Sequence, residues 1–493
     1  VGAPSGELEL GGREVPVARV LRALLTDSLR RHEVRGVRAA RPSFRLSELR
    51  ERLLREHVFE DPGRLLQVLR RRGLLEEVST GRGDRLYAIP APEVLGRLLE
   101  GVGSDLGGLP GREPVGPTPE VPEGADEEGQ IRRLDADYFL HLRELVTRRE
   151  EDVVDFGRTF DVGKLLELLR DMFGEALYLD IALALLQQYA LADVPLLAPS
   201  GRPTGSTGFH LALFGPPGTG KSFAIDDFIR GNPRTGVPPH GLPGRNRYCG
   251  GMTPAQFLRV GSHYRGRTFN FIVPEFNDWF KYRGMVEPLK LVMEQREVRW
   301  ETTWGTVGPY TFRSYFSVNY NVRVGSAGDY WATISDPNFS ALEDRMLLRF
   351  HTMSRERFRA VERSAERLEL GQIDFEPSER IRDHLTLVHA IQTGHPLTRH
   401  RWKPRPVALT PTLYERLREV SEEALAQTSS PRFSPRLKGR AVRLAAASAL
   451  VGYFSQPEEA AGPLPVGRAE EDLARLFYRQ EIAARQGRFP GSG

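Results

Sequence analysis

The run His210-Leu-Ala-Leu-Phe214, then Gly215-Pro-Pro-Gly-Thr-Gly220-Lys221-Ser222, then Phe223 to Ile229 decides the fold. An apolar strand, a G-x-x-x-x-G-K-[ST] loop and a helix follow one another, which is the context this motif requires. Gly215, Gly218 and Gly220 allow backbone N–H groups to turn inward at a helix N-terminus and cradle phosphate oxygens. Pro216, Pro217 and Thr219 complete the loop. Lys221 is expected at the β- and γ-phosphates, and the Ser222 hydroxyl is expected to ligate Mg²⁺. ATP and Mg²⁺ are therefore the expected ligands. The fold class is α/β, since strands and helices alternate over about residues 209–350.

Downstream, Phe269-Asn270-Phe271-Ile272-Val273 reads as a second apolar strand, ending in Pro274-Glu275. A carboxylate there can polarise an attacking water, and Glu275 is the candidate. A second carboxylate to support the metal is expected one position earlier, where Pro274 stands. Asp278 is the only nearby substitute.

Three blocks surround this motif. Residues 1–100 read as a small helical domain. The spacing predicts helices over Val17–Arg31, Glu48–His57 and Asp61–Arg72, the last stopped by Gly73. Two short strands follow, around Leu74–Val78 and Arg85–Ile89, joined by a Gly-rich tip. Three helices and a β-hairpin resemble a winged helix-turn-helix. Residues 1–90 carry 18 Arg, no Lys and 13 Asp plus Glu. Arg64, Arg70, Arg71 and Arg72 on the third helix, with Arg82 and Arg85 on the wing, are the candidate DNA contacts. A solvated arginine face meeting a protein partner is the competing reading. Residues 101–130 are rich in Gly, Pro and acid and are expected to be a flexible linker. Residues 131–352 form the expected ATPase core with its leading helices, among them Leu134–Arg149 and Asp161–Phe173. Residues 353–493 form an expected α-helical lid, with helices over Ser354–Leu368, Pro377–Thr393, Pro411–Ala426 and Arg436–Phe454.

The ordered segments GPPGTGKS, YCGGMTPAQFLR, FIVPEFNDW and VMEQREV resemble the AAA+ ATPases, and within them the minichromosome-maintenance (MCM) helicases. The resemblance covers about residues 165–480. It implies an AAA+ P-loop core with a helical lid, ATP hydrolysis at subunit interfaces of a homo-oligomeric, hexameric ring, and DNA unwinding or translocation of the kind used in mobile-element replication. It places the sensor-1 residue at Asn321, with Asn319 second, an arginine finger at Arg345 and a sensor-2 arginine at Arg436. The gap from Arg436 to Arg443 equals the family's sensor-2 spacing. The chain departs from the family in several places. It has no cysteine set for a zinc ribbon, Glu301 stands where the hairpin before sensor 1 is usually basic, and its winged helix is N-terminal. The nearest rival is the MoxR-type AAA+ group, protein-remodelling enzymes whose A-L-x-D-R-F-like strip Ala341–Arg345 also fits. A nucleotide-gated DNA-binding switch is a third reading.

Composition limits the remaining choices. The chain has 493 residues, 40% apolar and 27% charged, and one cysteine, Cys249. An internal disulfide framework is excluded, and a reducing, cytoplasmic setting is expected. No signal peptide is expected around Glu7 and Glu9. The most apolar stretch, Ala176–Ala198, is broken by Asp180, Gln187, Gln188 and Asp193, so no membrane span is expected. The basic residues comprise 63 Arg and only six Lys. That excess fits a compositional bias of the source or phosphate recognition by the guanidinium fork, and composition alone does not choose.

Overall fold

Strand β6 (His210–Phe214) shows why the sequence folds around it. All five residues are buried. Leu211 and Leu213 join one hydrophobic core, while Ala212 and Phe214 join another. Alternate side chains of a strand point to opposite faces, so a strand apolar on both faces belongs inside a layered sheet. β6 lies in a five-stranded sheet with β7 (Asn246–Tyr248), β8 (Asn270–Val273), β11 (Tyr315–Tyr320) and β14 (Met346–Phe350), in the order β14-β6-β11-β8-β7. Every pairing is parallel. The protein is thus a mixed α/β protein with a helix-flanked parallel sheet, consistent with a P-loop-like core.

The computed structural model describes residues 127–302, 305–324, 330–334, 336–456 and 462–488, with residues 21, 24–25, 43–45, 48–49, 66, 69–70, 75–78 and 86–89. It divides into two units, Val1–Glu120 and Val121–Gly493. In the first, β1 (Ser43–Arg45), β2 (Glu76–Glu77) and β3 (Leu86–Ala88) form an antiparallel sheet in the order β1-β3-β2. The β2–β3 pairing is the expected hairpin, and β1 is an addition to it. Phe44, Leu49, Leu69, Tyr87 and Ile89 are buried.

The second unit opens with α1 (Glu127–Arg148), α2 (Glu150–Arg158) and α3 (Val162–Ala190). The chain is already helical over the last four residues expected to be linker. Glu127 accounts for this. Its carboxylate takes two bonds from Arg247 (2.6 and 2.9 Å) and one from the Tyr264 hydroxyl (2.6 Å), which fixes the first turn of α1. α3 runs well past the expected Phe173. It kinks at Gly174, whose φ of 70° suits glycine, and then continues through the apolar stretch. A helix apolar all round is a buried helix, and Ile181–Leu186 are essentially inaccessible. Among the described residues no helix is long and apolar enough to cross a membrane.

One face of the sheet is covered by α4 (Pro254–His263), α5 (Val286–Met293) and the hairpin β9 (Glu297–Thr302)–β10 (Gly305–Thr311). The short β12 (Val322–Val324) and β13 (Tyr330–Ala332) pair beyond the end of β11, and α6 (Ser340–Glu343) leads into β14. The other face is covered by α3, α10 (Arg436–Ala449) and α11 (Arg468–Arg485), while α7 (Arg355–Glu369) and α8 (Glu376–Gln392) pack on α3 and α9 (Pro411–Leu425) packs on α10 and α11. Helix α11 was not foreseen. A second sheet, in the order β16-β15-β4-β5, joins the hairpin β4 (Pro195–Leu197)–β5 (Pro203–Ser206) to β15 (Val407–Ala408) and β16 (Leu464–Pro465). The C-terminal segment is therefore stitched by strands to the chain that precedes the core.

Candidate active site

Ligands of parallel α/β sheets bind outside the carboxyl ends of the strands. β6, β11 and β8 are neighbours, and each delivers one part of the site there. From β6 comes the glycine-rich loop. Gly215, Gly218 and Gly220 have φ of 149°, 78° and 86°, a region closed to most side chains. A Cβ at Gly215 would lie 2.4 Å from the His351 carbonyl oxygen, and one at Gly220 would lie 2.5 Å from Leu177. The approach to backbone at Gly215 requires glycine, whereas at Gly220 the neighbour is a leucine methyl and the positive φ carries the requirement. Helix begins at Lys221, passes through a π-helical stretch at Phe223–Asp227 and ends before Gly231.

The Lys221 ammonium donates to the carbonyls of Gly215 (3.0 Å) and Pro216 (2.6 Å) and lies 3.4 Å from the Thr219 hydroxyl. Burial pushes its pKa down to about 8, against the opposing pull of the Glu275 carboxylate. Pro216, Pro217 and Thr219 stand in the loop as expected, with Thr219 buried and its hydroxyl donating to the Pro216 carbonyl at 3.0 Å.

β11 contributes an asparagine, but not the one first aligned. The Asn319 amide donates to the Ser222 hydroxyl at 2.9 Å. Asn321 lies just beyond the strand. Its N–H donates to the Asn277 side chain, and its carbonyl accepts from the Thr333 N–H and hydroxyl. The second choice of the sequence reading is therefore the residue at the loop. From β8 comes Glu275, exposed at the strand end and followed by the 3-10 helix Phe276–Lys281. Pro274 is buried. Asp278, the possible substitute carboxylate, is held by Lys281 at 2.8 Å.

The arginine-finger and sensor-2 positions implied by the resemblance are Arg345 and Arg436. Arg345 is largely buried, bonded to the Glu294 carboxylate and to the Ala341 carbonyl. Its neighbours in sequence have other partners, since Glu343 accepts from Tyr320 and Asp344 pairs with Arg485. Arg436 is exposed at the first turn of α10. The other arginines of that helix brace the interior. Arg440 lies 3.7 Å from Glu481, and Arg443 donates to the Gly208 carbonyl at 3.1 Å. Of the candidate DNA contacts, Arg64, Arg71, Arg72, Arg82 and Arg85 lie outside the described residues. Arg70 pairs with Glu77 at 2.9 Å.

Behind the loop lies a charge cluster that the sequence reading did not connect to the site. Asp180 of α3 is completely buried and meets Arg349, His351 and Arg357, each at 3.1 Å. Burial alone would raise the Asp180 pKa. The His351 ring and the two guanidinium groups outweigh it and hold the carboxyl well below the usual range. Burial lowers the His351 pKa to about 4, so the ring is neutral at pH 7. Arg357 can only donate, so the His351 Nδ1 it meets at 3.1 Å is an acceptor. Nε2–H then donates to Asp180. A lone Asp in an apolar helical run is the signal that could have exposed this cluster, because a buried carboxylate needs partners.

Among the described residues no three His, Cys, Asp or Glu side chains converge on a metal site. The loop itself is suited to Mg²⁺ held jointly with phosphate. Ser222 is exposed, and a hydroxyl with phosphate and water oxygens is a hard donor set. No protein-family model matches the sequence, and no curated protein matches it.

Proposed function

We propose that this chain is an AAA+-type ATPase that acts on DNA as an MCM-like helicase or translocase, working as a homo-oligomeric ring, most simply a hexamer. The observation that carries the ATPase reading is the convergence of three neighbouring strand ends. β6 supplies the glycine-turned loop with Lys221, β11 supplies Asn319, and β8 supplies Glu275.

The residues divide the work by their chemistry. Loop N–H groups and Lys221 offset phosphate charge. Ser222 offers the side-chain oxygen to Mg²⁺, which when bound neutralises phosphate charge. Asn319 donates to the Ser222 hydroxyl and would hold it in place for the ion. Glu275 is free to take the proton of an attacking water. Pro274 has no carboxylate, so slow hydrolysis is expected. Arg345, paired with Glu294 in the single chain, is the residue that would offset charge on a neighbouring subunit's nucleotide.

The DNA half of the proposal rests on the arginine-rich N-terminal unit, where β1, β2 and β3 fit the sheet of a winged helix. The β9–β10 hairpin favours a second reading, MoxR-like remodelling of a protein partner. Its Glu301 is paired with Arg299 and Thr306, so it presents no unopposed basic tip among the described residues. ATP turnover with and without single-stranded DNA separates the two. The DNA reading expects stimulation of several-fold, while intact turnover with no response to DNA moves the assignment to remodelling.

A further inference from the structure

The Asp180 cluster touches the phosphate loop through one side chain. One terminal guanidinium nitrogen of Arg357, in the first turn of α7, shares its two N–H groups among three acceptors. They are the Thr219 carbonyl (2.9 Å), Asp180 (3.1 Å) and His351 Nδ1 (3.1 Å). Its Nε is buried without a partner, so the side chain is held by this one end. The helix that carries it lies on the outside of α3: no residue of α7 is fully buried, Val361 and Leu368 pack partly buried against the core, and the Ser364 hydroxyl donates to the Phe173 carbonyl.

The Thr219 carbonyl belongs to the same peptide unit as the Gly220 N–H, in the loop that turns its N–H groups toward phosphate. A cation on the oxygen of a peptide polarises its N–H into a stronger donor. Asp180 holds that cation in place and is itself anchored independently by Arg349 and His351.

Resting on the nucleotide-binding reading above, we propose that Arg357 is a positioning residue for nucleotide, strengthening the Gly220 N–H through the Thr219 carbonyl and docking α7 onto the loop. Coupling between two sites is reciprocal. Nucleotide on the loop therefore tightens α7, and loss of Arg357 weakens nucleotide.

The test is calorimetric titration with MgADP together with amide hydrogen exchange over residues 355–369. Wild type binds MgADP and gains protection in α7. Arg357→Met weakens binding about tenfold, as expected for loss of one charge-assisted hydrogen bond, and loses the gain in protection. Arg357→Lys restores affinity to within about threefold, because a cation again reaches the carbonyl. Arg349→Met removes a different partner of Asp180 and changes affinity by less than about twofold. Wild-type affinity in Arg357→Met, or an Arg349→Met loss as large as that of Arg357→Met, overturns the proposal. So does an absence of protection in α7 when wild type binds MgADP, an arm that needs no variant. Failure of wild type to bind MgADP at all removes the nucleotide reading, and this proposal with it.

Discussion

The two sides of the phosphate loop are built differently. On the side where β11 and β8 end, Ser222 and Glu275 are exposed, and the Lys221 ammonium bonds to the loop's own carbonyls and the Thr219 hydroxyl. On the far side, Asp180 and His351 are sealed from solvent and Arg349 and Arg357 nearly so, each bound to partners from separate elements. The accessible side has groups that can exchange partners, which chemistry requires. The sealed side has charges whose separation would be costly, which holds the loop's shape. The contrast predicts that substitutions on the sealed side damage stability first, and those on the accessible side damage turnover first.

Asp180→Asn should have the largest effect. It leaves two buried guanidinium groups without their counter-charge, a loss of about 3–5 kcal/mol by the behaviour of broken buried pairs. Denaturant unfolding measures it, and a loss under about 1 kcal/mol would erase the distinction between the two sides. Glu275→Gln comes next. Turnover should fall about a hundredfold while ATP affinity and the unfolding midpoint stay near wild type, since the amide no longer takes the water's proton. A comparable fall in stability would place Glu275 with the structural groups.

Asn319→Ala should cost about ten times more turnover than Asn321→Ala, because only Asn319 meets Ser222. The reverse order would restore the alignment suggested by the sequence. The smallest effect is pH dependence. Burial pushes the Lys221 pKa down to about 8, with Glu275 and Asp180 pulling it up and Arg357 adding to the depression. Phosphate needs the charged form, so ATP affinity should decline as pH rises above about 8, with proton uptake on binding near that pH. Calorimetry in two buffers of different ionisation enthalpy reads this uptake. The sign for folding is opposite, since burial disfavours the charged lysine and the penalty fades as pH rises from about 8 toward 10.5.

Legibility in the sequence follows the range of the interactions. The loop could be read because its geometry is local and glycine spacing encodes it. β6 and β8 could be read because they are short, nearly continuous apolar runs. The choice between Asn319 and Asn321 could not, because residues two apart in a strand share a face and only the strand's end at Tyr320 separates them. Asp180 appeared only as an interruption of an apolar run, since Arg349 and Arg357 lie 169 and 177 residues away. The Glu294 partner of Arg345 is 51 residues distant and leaves no local signal. β15 and β16, two residues each, are too short to leave any periodicity.

The central claim is that Lys221 and its loop bind ATP for hydrolysis, and phosphate release from saturating ATP by wild type and Lys221→Ala tests it most directly. Lys221 supplies the mobile positive charge at the β- and γ-phosphates, so wild type should release phosphate at least about tenfold faster than the variant. Equal rates in two folded proteins would contradict the account.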